Sequence, residues 1–429
     1  MTAVLDSPTS APRQRGVFAS LHVPNYRLYA SGQIVSLVGT WMQRIAQDWL
    51  VLDLSGGNAT ALGIATALQF LPTLLLSLWG GVLADRVDKR RLLVVLQTAM
   101  GACALLLGLA VVTGAVVLWQ VYLFCLLLGC FSALDVPVRQ AFVSELVGPA
   151  QVANAVALNS LTFNTARIIG PAVAGVLIVA VGTGWVFLIN ALSFAGVVVA
   201  LLVMNQARLF RTEPVSRRPG QLREGLLHVR ARPELIGVLA LVFLVSAFAI
   251  NFPVTIPVLA RNVFGRGAEA YGLLTTLLAI GSVAGAVLAA RRSGQPRLRL
   301  VAGSGLAFGA LLVAVGVMPT FASAGVMLVL VGFAALLFTT AANATVQLSV
   351  EPSMRGRVMG LYMLLFLGST PLGAPLLGLV AEHWGGRAPL ILGGALTVVS
   401  VLLVSLVLLA RERSVMPVTR PRGLRVRQG

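Results

Sequence analysis

From about residue 29 onward the chain alternates apolar runs of about 18 or more residues with short polar breaks. Each run matches the ~20 residues that a helix needs to cross a bilayer. The pattern predicts helices near 29–52, 61–84, 92–113, 116–136, 151–178, 184–204, 235–260, 271–290, 300–318, 322–343, 358–381 and 388–410. The first 26 residues are polar and hold prolines, without the short apolar core and small-residue cleavage site of a secretory signal. The N-terminus is therefore expected to stay in the cytoplasm, with the first helix as its own insertion signal.

Composition excludes a water-soluble assembly. Of 429 residues 58% are hydrophobic and 11% charged, against about 25% charged in soluble domains. The 32 basic and 14 acidic residues give a net charge of +18, which taken alone suits a nucleic-acid binder. Position decides otherwise. With the N-terminus inside, 27 of the 32 arginines and lysines fall in cytoplasmic segments, Arg261, Arg266 and Arg387 fall outside, and Arg44 and Arg167 lie within helices. This asymmetry is the positive-inside pattern of an even number of spans with both termini cytoplasmic. The basic excess is then a topology signal and a surface for anionic lipid headgroups, and no nucleic-acid partner is expected.

The longest polar segment divides the spans six and six. The division predicted is a cytoplasmic tail 1–26, a first bundle 27–204, a cytoplasmic linker 205–234, a second bundle 235–410 and a basic tail 411–429. Within the linker, Leu222, Leu226 and Val229 follow Pro219 and Gly220 at helical spacing among arginines, the pattern of an amphipathic helix on the membrane face. The halves also repeat. Gly81-Val82-Leu83-Ala84-Asp85-Arg86 returns as Ala286-Val287-Leu288-Ala289-Ala290-Arg291, and Gly170, Gly175 and Gly182 return as Gly373, Gly378 and Gly385. Offsets of 205 and 203 at matching places in each half argue for duplication, and parallel repeats of this kind build one large transporter class.

The segment Gly81-Val-Leu-Ala-Asp85-Arg86-Val-Asp88-Lys89-Arg90-Arg91 resembles the G-x-L-A-D-R-x-G-R-K signature of the major facilitator superfamily, departing from it at Asp88. The resemblance extends over the chain after residue 26. It implies an all-α membrane protein of twelve transmembrane helices in two pseudo-symmetric six-helix bundles. It also implies a cytoplasmic gate at Gly81, Asp85 and Arg86, in which Asp85 latches onto the start of helix 11 while Arg90 and Asp135 complete a charge relay. Ala290 stands at the aspartate position of the second copy, so one latch is implied. In helix 5, Ala166-Arg-Ile-Ile-Gly170-Pro171-Ala-Val-Ala174-Gly175 resembles the G-x-x-x-G-P-x-x-G-G pattern of drug:proton antiporters, with alanine at two glycine positions. Small residues at Gly170 and Gly175 permit close approach to the other half, and Pro171 adds a bend point. Asp135-Val-Pro137-Val-Arg139-Gln140-Ala141, Asn154 to Ser160, and Arg355-Gly356-Arg357-Val358-Met359 resemble the exporter subfamily that contains enterobactin exporters and macrolide efflux pumps.

Polar residues within the spans indicate transport without a family name. At about 100° per residue, Gln33, Ser36, Thr40, Gln43, Arg44, Gln47 and Asp48 share one arc of about 140° on helix 1. An arginine or aspartate at the bilayer centre costs ~2.5–3.5 kcal/mol, so the stripe must face a cavity or partner helices. Arg44 and Asp48 stand four apart and can pair. A substrate or rocking motion that competes for Arg44 would drive Asp48 to take up a proton; a static pair holding helix 1 in place is the alternative. Arg167 shares an inward arc with Ser160 and Asn164, where it would attract an anionic substrate group or an acidic side chain. Asn251 in helix 7, Asn343 and Gln347 ending helix 10, and Tyr362, Ser369 and Thr370 in helix 11 are cavity candidates from the second half.

Cys103, Cys125 and Cys130 lack metal-ligand or redox spacing, and His22, His228 and His383 lie outside the predicted membrane core. No metal or cofactor is implied, and the chain carries no nucleotide-binding G-x-x-x-x-G-K-[ST]. The expectation is a monomeric secondary transporter, not an enzyme, multi-pass in the inner or plasma membrane. It exports a small amphiphilic molecule (a drug, siderophore or secondary metabolite) by alternating access, in exchange for protons. A solute uptake symporter of the same fold and a non-transporting sensor or scaffold are the alternatives.

Overall fold

Prolines decide where two of the predicted spans break. In the computed structural model, which describes residues 16, 18–210, 221–230, 232–291 and 298–415, the span expected at 235–260 is α8 (Pro233–Phe248) followed by α9 (Phe252–Val258) and a π turn, Leu259–Val263. Pro253 has no N–H to donate, and its ring would strike the carbonyl of Ala249 in a continuous helix. The Asn251 amide donates to the carbonyls of Ala247 and Ser246 that the break frees. The span expected at 358–381 divides likewise at Ser369, two residues before Pro371, into α13 (Pro352–Gly368) and α14 (Thr370–Trp384).

The other spans are single helices. The first half holds α1 (Pro24–Leu54), α2 (Ala59–Arg86), α3 (Lys89–Val112), α4 (Leu118–Val147), α5 (Val152–Val181) and α6 (Thr183–Val203). The second adds α10 (Ala268–Arg291), α11 (Leu298–Val317), α12 (Phe321–Leu348) and α15 (Ala388–Val415). α4 runs eleven residues past its expected end at 136, with Pro137 inside it and α2, α3 and α5 packed along it. Between the halves, α7 (Gln221–Arg230) rests on α8 and α13 through buried Val229, while Leu226 is exposed. Residues 211–220 and the side chain of Leu222 lie outside the described residues, as do 1–15 and 416–429.

Eleven described segments are long and apolar enough to cross a membrane. α1 is the twelfth. Its 31 residues span about 46 Å at 1.5 Å per residue, but the polar stripe lowers its mean hydropathy.

The two bundles pack alike. In the first, α2 pairs with α4, α3 with α6, and α1 with α5 and α6; in the second, α10 pairs with α12, α11 with α15, and α8 with α14 and α15. Exchanging the halves also maps the α2–α14 seam onto the α10–α5 seam, and these two join the bundles. Gly182 and Gly385, related by the sequence repeat, each cap the C-terminal end of a helix, α5 and α14, at φ 87°, a left-handed backbone that a Cβ would strain. At the α5–α10 seam a Cβ on Gly272 would lie 3.1 Å from the Cα of Gly175 and closer still to the Pro171 carbonyl.

Candidate functional site: a polar cavity in the first bundle

The polar arc of α1 opens onto a cavity inside the first bundle. Gln33, Ser36, Thr40 and Arg44 form one wall. α3 contributes Gln97 and Met100, α4 contributes Ser132, Asp135 and Arg139, and Phe163 and Phe194 from α5 and α6 add rings. An adjoining space, reached through Thr40, Arg44 and Ser132, continues to Gln43, Gln47, Gln69 and Asn190. Helical spacing explains why these residues meet: each lies on its helix's inward face, and the opposite faces carry exposed apolar side chains such as Val35, Val95 and Leu192.

Local hydrogen bonds tie down part of the stripe. The Thr40 hydroxyl returns to the Ser36 carbonyl at 2.8 Å, Asn190 donates to Gln43, and Gln47 reaches Gln69 at 3.4 Å. Two of its amide oxygens, Gln33 Oε1 and Gln47 Oε1, are buried without a partner.

The expected Arg44–Asp48 pair is not made. Asp48, buried at 6% exposure, accepts a 2.7 Å hydrogen bond from the hydroxyl of Tyr271 on α10. Arg44 lies with its guanidinium carbon 4.9 Å from the Trp41 ring centroid and 6.0 Å from that of Phe70. Its Nε is buried without a hydrogen-bond partner, and no ion pair joins it to a described residue. Spacing of four allows a pair; a tyrosine arriving from the other half supplies Asp48 with a donor, while the aromatic rings beside Arg44 hold its cation.

The charge relay is also arranged differently. Arg90 donates to the carbonyls of Leu201 and Leu202 at 2.6 and 3.0 Å, capping the C-terminus of α6 where a cation is favoured. Asp135 instead receives Gln97 Nε2 at 2.8 Å and lies 3.3 Å from Arg139, so it belongs to the cavity. Arg86 ends α2, exposed; Gly81 and Asp85 lie on α2 with side chains outside the described residues. Asp88 caps α3, accepting from Arg91 N at 2.9 Å, which accounts for an aspartate where the signature has glycine.

Arg167 lies on α5 with Nε and Nη2 buried and unpartnered, outside this cavity's lining. Asn164 beside it bonds back to the Ser160 carbonyl at 2.8 Å. Gly175 and Pro171 meet α10 as the small-residue pattern requires, whereas Gly170 faces Trp41 and Met42 of α1 in its own bundle. Asn251, Asn343 and Tyr362 stay apart from the cavity: Asn251 holds the α8–α9 break, and Tyr362 bonds to Thr339 O at 3.3 Å. Sequence reasoning passed over Gln97, Arg139 and Tyr271. Gln97 was visible as one glutamine in an apolar run; nothing local marks Tyr271.

Polar bonds between the bundles follow one direction. Among the described residues they are Asp53–Arg261, Asn262 to Gly57 O, Ala59 N to Glu382, Tyr271 to Asp48, and Thr276 to Ile168 O. All lie between the Asp53 end and the middle of the molecule.

Twelve spans in two repeat-related bundles, the first holding a polar cavity, define a multi-pass membrane transporter of small molecules, of the major facilitator type. The chain belongs to the transmembrane secretion effector family of that superfamily, which matches residues 11–420. It is 27% identical over 364 residues to the staphyloferrin A transporter of Staphylococcus aureus (strain NCTC 8325 / PS 47), covering 84% of this chain and 90% of the relative. It is 25% identical over 361 residues to the enterobactin exporter EntS of Citrobacter koseri, covering 83% and 85%. Among solved structures, a bacterial homologue of the human lysosomal transporter Spinster, inward-facing and occupied, superposes with TM-score 0.69 at 16% identity over 92% of this chain and 99% of that one. A POT family transporter in complex with 5-aminolevulinic acid gives TM-score 0.72 at 13% identity, over 92% and 97%.

Proposed function

We propose that this protein exports a small amphiphilic molecule (a drug, siderophore or secondary metabolite) from the cytoplasm across the inner or plasma membrane, by alternating access and in exchange for protons. The observation that carries this is a polar cavity in a bundle joined to its repeat by polar bonds that, among the described residues, run from the Asp53 end to the middle. Such a seam suits rocking, because opening the Asp53 end exchanges a small set of bonds rather than unfolding a core. The rocking bodies are 27–204 and 235–410, joined by 205–234, with the tails 1–26 and 411–429 at the arginine-rich Arg86 end, which faces the cytoplasm. Arg44, Asp48 and Arg167 are the candidates for coupling and substrate contact, with Asp85, Arg86 and Arg90 at the cytoplasmic mouth and Asp135 on the cavity wall. The likeness to an enterobactin exporter and the small-residue pattern of α5 support the outward direction. The chain works as a monomer, since the cavity closes within one chain.

Everted membrane vesicles loaded with a dye panel test this. Accumulation driven by an imposed proton gradient and abolished by a protonophore is the expected result. Accumulation confined to right-side-out vesicles would instead identify an uptake symporter.

A further inference from the structure

We propose that the linker helix α7 is a docking surface for the headgroups of anionic phospholipids in the cytoplasmic leaflet. This surface lies outside the cavity; it rests on the reading that the Arg86 end faces the cytoplasm, and not on the direction or coupling of transport. Between residues 205 and 234 the sequence carries seven arginines against three glutamates. α7 packs on α8 and α13 through Val229, which is 5% exposed. With Val229 at zero and about 100° per residue, Leu226 lies at about 60°, Arg230 at about 100° and Leu227 at about 160°. All three are exposed, the two leucines at 45% and 54%. One side of α7 therefore rests on the protein, and an adjoining arc offers two apolar side chains around a cation.

Chain geometry sets the depth of this arc. Only Ala231 and Arg232 separate α7 from Pro233, where the α8 span begins, and two residues reach at most about 7 Å. Arg232 is itself fixed, donating to the Ser349 carbonyl at 2.7 Å and lying 3.5 Å from Glu351. Ile236, in the first turn of α8, is already exposed as a lipid-facing side chain. α7 is therefore held at headgroup level. The other end of the linker is placed alike: Phe210 donates its N–H to the Glu145 carbonyl at 2.8 Å, sets its ring against Gly148, and stays exposed beside exposed Arg208. Neither Arg208 nor Arg230 enters an ion pair with a described residue. The nearby acids are otherwise engaged, Glu351 with Arg232 and Glu234 in the first turn of α8, where the helix dipole favours it. A soluble anion would satisfy the arginines but leave Leu226, Leu227 and Phe210 in water. An anionic lipid supplies a phosphate to the guanidinium and acyl chains to the apolar side chains.

The test is hydrogen–deuterium exchange of the full chain in nanodiscs that hold one copy, made of phosphatidylcholine alone or of phosphatidylcholine and phosphatidylglycerol in equal parts. Lipid that binds the folded helix makes its opening rarer, and each arginine near an anionic surface contributes about 5-fold. The backbone amides of 221–230 should exchange at least about 5-fold more slowly in the anionic discs, while those of 113–118 at the Asp53 end should not change. Salt at about 1 M, where the Debye length is about 3 Å, should remove the difference. Arg230→Gln should shrink it, and Leu227→Ser should speed exchange in both discs. Equal exchange of 221–230 in the two discs overturns the proposal on the unaltered protein, even if a variant fails to fold. The same protection given by inorganic phosphate in phosphatidylcholine discs would also overturn it, in favour of a plain anion site. Protection that appears only in discs holding two chains would overturn it in favour of a second copy. Both faces of a disc carry the same lipids and no substrate or gradient enters, so a failure of the orientation, export or coupling reading leaves this readout untouched.

Discussion

Replacing Tyr271 by phenylalanine removes one oxygen from the seam between the bundles and should open its Asp53 end. The Tyr271 hydroxyl lies 2.7 Å from Asp48 Oδ2, with the two residues 2% and 6% exposed. A hydrogen bond to an ionised group contributes ~1.5–3 kcal/mol, and a buried carboxylate that loses its donor keeps the desolvation cost. If the bond exists only while the Asp53 end is shut, its loss shifts the shut-to-open equilibrium by about 10- to 150-fold. The readout is the labelling rate of a cysteine sealed in that seam. Ala268, 3% exposed at the start of α10 with its carbonyl against Gly175, is a suitable site, in a chain whose Cys103, Cys125 and Cys130 are replaced by serine. With Ala268→Cys, a membrane-impermeant maleimide added from the Asp53 side should react at least about 10-fold faster in Tyr271→Phe, because the rate follows the open fraction. Asp48→Asn, which retains an acceptor but makes a neutral bond worth ~0.5–1.5 kcal/mol, should fall between. An unchanged labelling rate in Tyr271→Phe would refute the assignment of this bond as a latch.

Three further outcomes follow from the same geometry. Asp48→Asn should fold, yet its efflux in vesicles should no longer respond to an imposed proton gradient; transport with an intact pH response would remove Asp48 from coupling. Gly272→Val forces a side chain into the Pro171 carbonyl and Gly175 and should cost ~1–3 kcal/mol or more, read as a lower melting temperature, whereas Gly196→Ala, with open space around it, should not lower it. Arg261→Ala breaks an ion pair with Asp53 whose side chains are 28% and 47% exposed; it should change stability by under about 1 kcal/mol, and moderate salt should erase the difference.

Much of the fold was legible because membrane helices are written locally. A run of about 20 apolar residues is a span whatever its neighbours do, and an arc of polar residues on one helix reports that some cavity must exist, though not which residues complete it. The breaks at Asn251 and Ser369 were partly legible too, since Pro253 and Pro371 stand beside them, but apolar length alone read each pair of helices as one. Arg139 shows the converse. Counted with the topogenic arginines, it is instead the partner of Asp135 on the cavity wall, because α4 continues beyond Pro137.

By itself the sequence determined twelve membrane spans in two repeated halves, an inward polar face on α1, and small residues where α5 meets its partner. Each of these is a statement about one helix or its copy, set by periodicity and composition. The tertiary structure decided who meets whom: Tyr271 rather than Arg44 at Asp48, Gln97 and Arg139 rather than Arg90 at Asp135, and a cavity enclosed by the first bundle. Those choices depend on how helices far apart in the chain are rotated and tilted against one another. Asp48 and Tyr271 are 223 positions apart, and no pattern within either helix encodes the packing that brings a hydroxyl to that carboxylate and leaves a guanidinium one turn away without one.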